Sequence, residues 1–348
     1  MDCFEKLPLE IKETLAKTTW DYLNGDLDKI ATHAQYEVIK NRTALIARIQ
    51  EKMNPDYFCH FDDDNRKKLW DEVVEELLKL QSDDCPLKKG GPKVIFKSSL
   101  LLEYCSTVLD YEAEFVFDAA LGMISSYPES NSYELRLPDF SDLCIKDYEI
   151  ERIMWLGVER LNDQKFDFNF GRDNSSSCYD SIKLFDDINI SKYGDITFTP
   201  TMFTKALALS ATIIPGAYGT QRILAQLPNK YDRRLYWFLS NRKIKAEWSI
   251  RCNTPIIECT ISELAKILHV NHNPIHYSTL KAHYLIPAKE NMEKIHEMPF
   301  QFDFGSWAEL SANKKEAVVT IMIREYKLPI YWEYLKYSEY KANDLTNE

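Results

Sequence analysis

Apolar positions along this chain recur first at helical spacing, then alternate with helical and strand spacing. Up to about residue 80 the pattern is helical throughout. Pro8 suits the first turn of a helix reaching about Leu23, and Asn24, Gly25 and Asp26 make a turn. A longer helix to about Met53 carries Ile30, Ala34, Val38, Ala44, Ile46 and Ile49. A third, from about Asp64 to Leu80, carries Leu69, Val73, Val74, Leu77 and Leu78. QSDDCPLKKGGP, residues 81–92, reads as a linker, so proteolysis is expected to cut there first.

From Lys93 the two periods alternate. KVIFKSSLLLEYC opens the segment, and TVLDYEAEFVFDAALGMISS predicts a helix with Leu109, Phe115, Ala119 and Met123 on one side. SYELRLPDFSDLC predicts a short strand and a short helix. KDYEIERIMWLGVERLND predicts a longer helix with Ile150, Met154 and Leu161 inward. KFDFNF, SIKLFDDINI and DITFTP alternate as strands around the hairpin tip GRDNSSSCYDSI, and TMFTKALALS returns to helix.

The pattern is most regular in the third segment. LPNKYDRRLYWFLSNRK predicts a helix whose stripe of Tyr231, Leu235, Phe238 and Leu239 faces a core, with Lys230, Arg233 and Arg234 on the other side. CTISELAKILHV predicts a short helix capped by Ser262. HYSTLKAHYLIPAKENMEKI predicts a third, bent where Pro287 removes the donor to the His283 carbonyl. Strands follow around 299–304 and 316–326, with Lys314 and Lys315 in the turn between them. Three helices and a hairpin are the layout of a winged helix; any small α+β domain is the plainer alternative.

Composition places the chain among water-soluble globular proteins, and its 348 residues suffice for two or three domains. The first residues contain no secretory pattern and no apolar run is long enough to span a membrane, so a cytoplasmic protein without a membrane partner is expected. Eight scattered cysteines without a CxxC pair suggest reduced thiols. The net charge of -11 argues against a DNA binder, but it is uneven: about -4 over 1–95, about -10 over 96–220 and about +3 over 221–348.

Three stretches also resemble a known family. KYDRRLYWFL is similar to the K-Y-x-x-R-L-Y-x-x-L signature of tandem winged-helix plasmid replication initiators, the Rep type-3 superfamily. ISELAKILHV matches that family's I-x-x-L-x-x-x-L-x-V element. LKAHYLIPAKENMEKI resembles its L-x-x-x-V-L-x-P-A-x-x-E-I-N element, keeping Leu285, Pro287, Ala288 and Glu290 and departing at Asn291 and Lys294. The segment from 93 to 212 resembles the family's first domain in layout. The resemblance implies an α+β protein of two tandem winged helices behind an all-α N-terminal domain. The expected divisions are 1–92, a first, dimerisation-type winged helix at 93–212, a second, DNA-reading one at 213–326, and a tail at 327–348. It further implies binding to repeated origin sites in double-stranded DNA, recruitment of host replication proteins including helicase, and autorepression as a homodimer.

Candidate chemistry narrows to nucleic-acid contacts. No Walker loop, GxGxxG, HExxH or His-x-His is present, and no nucleophile has an identifiable base, so no catalytic residue and no cofactor is assigned. His269, His272 and His276 have zinc-like spacing but no Cys or acidic partner in their loop. Asp62, Asp63 and Asp64 suit a helix N-terminus, so no metal is assigned either. The expected DNA-binding residues are Ser278, Thr279, Lys281 and His283 on the third helix, Lys230, Arg233 and Arg234 on the first, and Lys314 and Lys315 in the wing. Lys146, Arg152 and Arg172 are the counterparts in the first winged helix. A winged-helix transcription regulator and a protein-interaction scaffold without DNA binding are the alternatives.

Overall fold

The structure, a computed structural model, describes residues 44–58, 61–80, 91–141, 143, 145–169, 179–211, 217–227, 229–245, 247–249, 254–270, 276–296, 298–305, 309–310 and 317–325. The helix expected before residue 24 and the tail lie outside these residues. The chain is mixed α+β and builds two helix-and-sheet units, each around its own apolar core.

The first core gathers residues from Ile49 to Leu209. Helix α1 (44–52) and a single turn α2 (Pro55–Phe58) lead into α3 (Asp63–Leu80). Asp63 and Asp64 sit in the first turn of α3 and Lys79 in the last, each favourable to the helix dipole. Its buried stripe of Leu69, Trp70, Val73, Val74, Leu77 and Leu80 is the one the spacing predicts, with Trp70 and Leu80 added and Leu78 left half-buried. Strand β1 (Val94–Lys97) and α4 (Ser99–Tyr104) precede α5 (Tyr111–Ser126), most of whose residues are buried. After β2 (Tyr133–Leu135) comes α6 (Asp147–Leu161), which lies so close to α5 that a Cβ at Gly157 would stand 2.5 Å from the Glu112 carbonyl oxygen. Strands β3 (Lys165–Asn169) and β4 (Tyr179–Lys183) form an antiparallel pair. β5 (Phe185–Ile190) and β6 (Ile196–Pro200) form a sheet with β2 in the order β2-β6-β5. Phe166, Phe168 and Phe198 turn inward while Lys165, Asp167 and Thr197 turn outward, the period of two that the sequence shows. Helix α7 (Met202–Ser210) closes the unit and carries α3 on its outside, where the rings of Trp70 and Phe203 meet edge to face at 5.0 Å.

The second core gathers residues from Ala217 to Ile323 and takes Ile95 from β1. Strand β7 (Ala217–Thr220) pairs antiparallel with β1, Val94 opposite Thr220 and Lys97 opposite Ala217. Alternation along β1 divides it between neighbours: Ile95 joins the second core, whereas Phe96 packs with Ala211 and Tyr218. Helices α8 (Gln221–Gln226) and α9 (Lys230–Lys245) follow, then β8 (Glu247–Ser249), β9 (Thr254–Thr260) and α10 (Ile261–Ile267). Next is α11, made of an α turn Tyr277–Leu280, a π turn Lys281–Leu285 and an α segment Ile286–Glu293. Strands β10 (Phe300–Phe304), β11 (Glu309–Leu310) and β12 (Ala317–Glu325) complete it. The sheet order is β10-β12-β9-β8, with β11 also on β12.

Two local expectations are corrected. The cap of α10 is Thr260, whose hydroxyl accepts the Glu263 N–H at 3.1 Å, and Ser262 lies inside the helix. Strand β9, absent from the expected helix, helix, helix, hairpin layout, is the central partner of β12, with Ile257 opposite Ile321. The bend expected at Pro287 is taken up one turn earlier. The Ile286 N–H donates to Lys281 O, five residues back, and this wider turn accommodates a proline that cannot bond to His283 O.

The Trp70 contact makes α3 part of the first core. Trp70→Ala is expected to cost about 3–5 kcal/mol in a urea melt. A chain nicked between residues 81 and 90 is expected to keep both pieces together on gel filtration. Independent elution of two folded pieces would show that the α3–α7 contact contributes little.

Candidate nucleic-acid interface

Helix α9 positions the site because it is buried on two sides. Leu235, Tyr236, Phe238 and Leu239 enter the second core as their spacing requires. Asn229 fixes its start, its Oδ1 accepting the N–H groups of Tyr231 at 2.9 Å and Asp232 at 3.0 Å. Asp232 is buried and accepts from Asn229 and from Asn291 of α11, both at 2.9 Å. Asn291, a departure from the initiator pattern, thereby ties α11 to α9.

The opposite side of α9 meets the first unit. Arg233 is 3% exposed; its Nε stands 3.0 Å from Glu114 Oε2 and its guanidinium lies 4.3 Å from the Tyr111 ring centre. Glu114 Oε1 lies 3.1 Å from Lys97 Nζ, which also lies 2.7 Å from Asp118 Oδ1 and over the Trp237 ring at 4.4 Å. β1, α5 and α9 therefore share a buried quartet of two cations and two carboxylates. Burial opposes charge on Glu114, but Lys97 and Arg233 together hold its pKa below the usual carboxylate value. Burial raises Asp118 to about 7; Lys97 opposes this and Glu114 adds to it. Nearby, Ser99 donates to Asn241 Oδ1 at 2.9 Å, Asn241 donates to Glu103 at 3.0 Å, and Gln221 donates to Phe115 O at 3.0 Å.

The outer surface carries most of the other expected residues. Ser278 and His283 are exposed on α11, with Thr279 and Lys281 half-buried between them. Lys281 extends towards β10, its Nζ 5.8 Å from the Phe304 ring centre. Lys230 is exposed in the first turn of α9. Half-buried Arg234, one turn on, donates at 3.4 Å to Leu268 O at the end of α10. Arg233 does not belong with them: expected on the outer face, it is enclosed by α5 and Tyr111 and cannot reach a ligand. On the first unit, Lys146 is exposed at the start of α6, and exposed Arg152 lies 3.6 Å from Glu112. Asp147, Glu151 and Glu159 are exposed along the same helix, which dilutes its positive charge. Arg172, Lys314 and Lys315 lie outside the described residues.

Lys266 and His269 join the basic group without having been assigned to it. Lys266 is exposed in the last turn of α10, and His269 follows with a left-handed backbone, φ 51°. Burial, then Arg234, Lys230 and Lys266, lower the His269 imidazole to about 4. Helical spacing could have exposed Lys266, since it lies opposite Leu264 and Leu268. No local pattern brings α9 beside it. Among the described residues no group of three His, Cys, Asp or Glu is placed to hold a metal, and no helix is long and apolar enough to cross a membrane.

No protein-family profile matches the chain and no curated protein matches its sequence. Among solved structures it is similar in fold to the Pi initiator protein, solved in complex with iteron DNA. The TM-score is 0.52 at 14% identity, covering 68% of this chain and 99% of that one.

Two outcomes follow from the quartet. Arg233→Ala is expected to destabilise the protein by about 3–5 kcal/mol, because it leaves Glu114 buried with a single counter-charge. It should leave unchanged the salt dependence of any DNA binding by the folded remainder. Asp118 binds a proton more tightly folded than unfolded, so its share of stability is present at acid pH and falls as pH rises from about 4 to about 7. Urea melts across that range should show a smaller decline for Asp118→Asn than for the parent; parallel profiles would mean that Asp118 is ionised throughout.

Proposed function

We propose that this chain is a DNA-binding replication initiator that reads double-stranded DNA with the outer face of α11. The observation that carries the reading is the exposed polar face of Ser278 and His283, with Lys281 beside it and Lys230 on the neighbouring α9. The likeness in fold to an initiator solved with iteron DNA supports it, as do the three sequence stretches quoted above. In this reading the two helix-and-sheet units are tandem winged helices behind a helical N-terminal extension. Lys230, Arg234 and the Lys314–Lys315 wing hold phosphates, while Ser278, Thr279, Lys281 and His283 face base edges. Lys146, Arg152 and Arg172 give the first winged helix a secondary contact. Binding at repeated origin sites favours opening of an adjacent deformable segment and recruits host replication proteins. Dimers formed through the first unit repress the chain's own gene. The reaction needs no catalysis and no cofactor.

The test is binding to origin repeats and to scrambled duplex at several salt concentrations. Lys281→Ala is expected to weaken specific binding by about 1–3 kcal/mol. Joint Lys314→Ala and Lys315→Ala substitution should weaken binding to every sequence and lower the salt slope by about 1 per lost phosphate contact. Parent-like binding by both variants would remove this surface as the reader. Preference for a single promoter palindrome would favour a transcription regulator. No retention on any duplex at low salt would leave a protein-interaction scaffold, the role that the charge of about -10 over 96–220 suits.

A further inference from the structure

A cleft of about 460 Å³ opens where the two units meet, within the usual range for small-ligand sites. One wall is the first unit's 101–109 segment, where Tyr104 and Val108 are 37% and 40% exposed despite their apolar bodies. The other wall is the second unit's, where Arg234, Lys266 and His269 line the opening. The cleft's carboxylates are already engaged: Glu114 with Lys97 and Arg233, Glu263 with Arg242 at 2.6 Å, and Glu103 with Asn241. Among the described residues Arg234 and Lys266 form no ion pair, although Glu114 acts on Arg234 from farther off, and the charged groups that shift His269 are all cations. An exposed apolar wall together with basic groups that form no ion pair among the described residues suits an anion that carries a ring.

We propose that this cleft binds a nucleotide, with its phosphate on Arg234, Lys266 and His269 and its base against Tyr104 and Val108. Guanidinium and ammonium groups hold phosphate oxygens by charge-assisted hydrogen bonds, and a tyrosine ring accepts any base by stacking. The left-handed backbone at His269 keeps the imidazole at the end of α10, beside the point where Arg234 reaches Leu268 O. This site lies apart from the α11 face, although it shares Arg234 with the phosphate contacts of the DNA-reading proposal.

Equilibrium dialysis of the full chain against ATP and against inorganic pyrophosphate tests the proposal. ATP should be retained, and Lys266→Ala and Arg234→Gln should each weaken retention about ten-fold. Tyr104→Ala should weaken ATP and leave pyrophosphate unchanged, a split that general destabilisation would not produce. Lys266 and Tyr104 are exposed, so their variants keep the test valid even if the half-buried Arg234 variant folds poorly. Adding duplex DNA then distinguishes two sources of the same chemistry. If duplex displaces ATP and Tyr104→Ala also weakens duplex binding, the nucleotide belongs to a DNA strand; if both bind together, it is a free nucleotide. No ATP retained at millimolar concentration, or parent-like retention by Lys266→Ala and Tyr104→Ala, overturns the proposal. Either result leaves the effect of Lys281→Ala on duplex binding unaltered, so this reading and the DNA-reading proposal fail separately.

Discussion

Glu114 is held largely out of water between two cations, and those cations come from different parts of the chain. Lys97 is on β1 and Arg233 on α9, so this carboxylate fixes the second unit's first long helix against the first unit's central helix. A carboxylate only 14% exposed would be disfavoured with either partner missing. Few arrangements of the two units satisfy it. The β1–β7 ribbon adds a directional constraint, because its register places Lys97 opposite Ala217 and Ile95 opposite Gly219, on which Trp237 packs closely. A methyl at Gly219 would stand 2.9 Å from that indole, so the ribbon and α9 approach as closely as a glycine allows. Apolar packing builds each core, and buried charge determines how the cores meet.

That division explains which features were legible beforehand. Stripes that face one core follow from local spacing: Leu69, Val73 and Leu77 on α3 and Leu235 and Leu239 on α9 are all buried. The error at Arg233 arose because a helical wheel assumes one inward face and one solvated face. Helix α9 has two inward faces, the second lined by polar residues matched to carboxylates more than a hundred positions away. Sequence periodicity records polarity, whereas burial of a paired charge depends on its partner. Strand β9 escaped for a related reason. TPIIECT does not alternate cleanly and includes Pro255, and its identity as a strand comes from its pairing with β12, formed only once the chain has folded back.

The candidate site was legible in part. Ser278, Thr279, Lys281 and His283 fall on one helix because their spacing is local, and the structure keeps them there. Lys266 and His269 were not assigned, since their relation to Arg234 depends on how α10 packs beside α9. Sequence alone predicts a bend at the proline in α11; the π turn that absorbs it shifts the following positions around the helix relative to an unbroken α-helix. A face drawn on an ideal wheel would therefore misplace the residues beyond Leu285.

The same reasoning changes the meaning of the net charge. Summed over segments, the chain is acidic before residue 221 and only slightly basic after it. Ion pairs leave that sum unchanged, because each takes one charge of either sign, but they decide which charges stay open. Glu112, Glu114 and Asp118 face Arg160, Arg233 and Lys97 in the first unit, while Asp303 holds Lys289 and Arg324 in the second. Among the described residues, the charged groups that act on His269 at the junction of the units are Lys230, Arg234 and Lys266. Surface charges beyond about 8 to 10 Å are screened at physiological salt. A local group of cations can therefore bind phosphate on a protein whose overall charge is strongly negative.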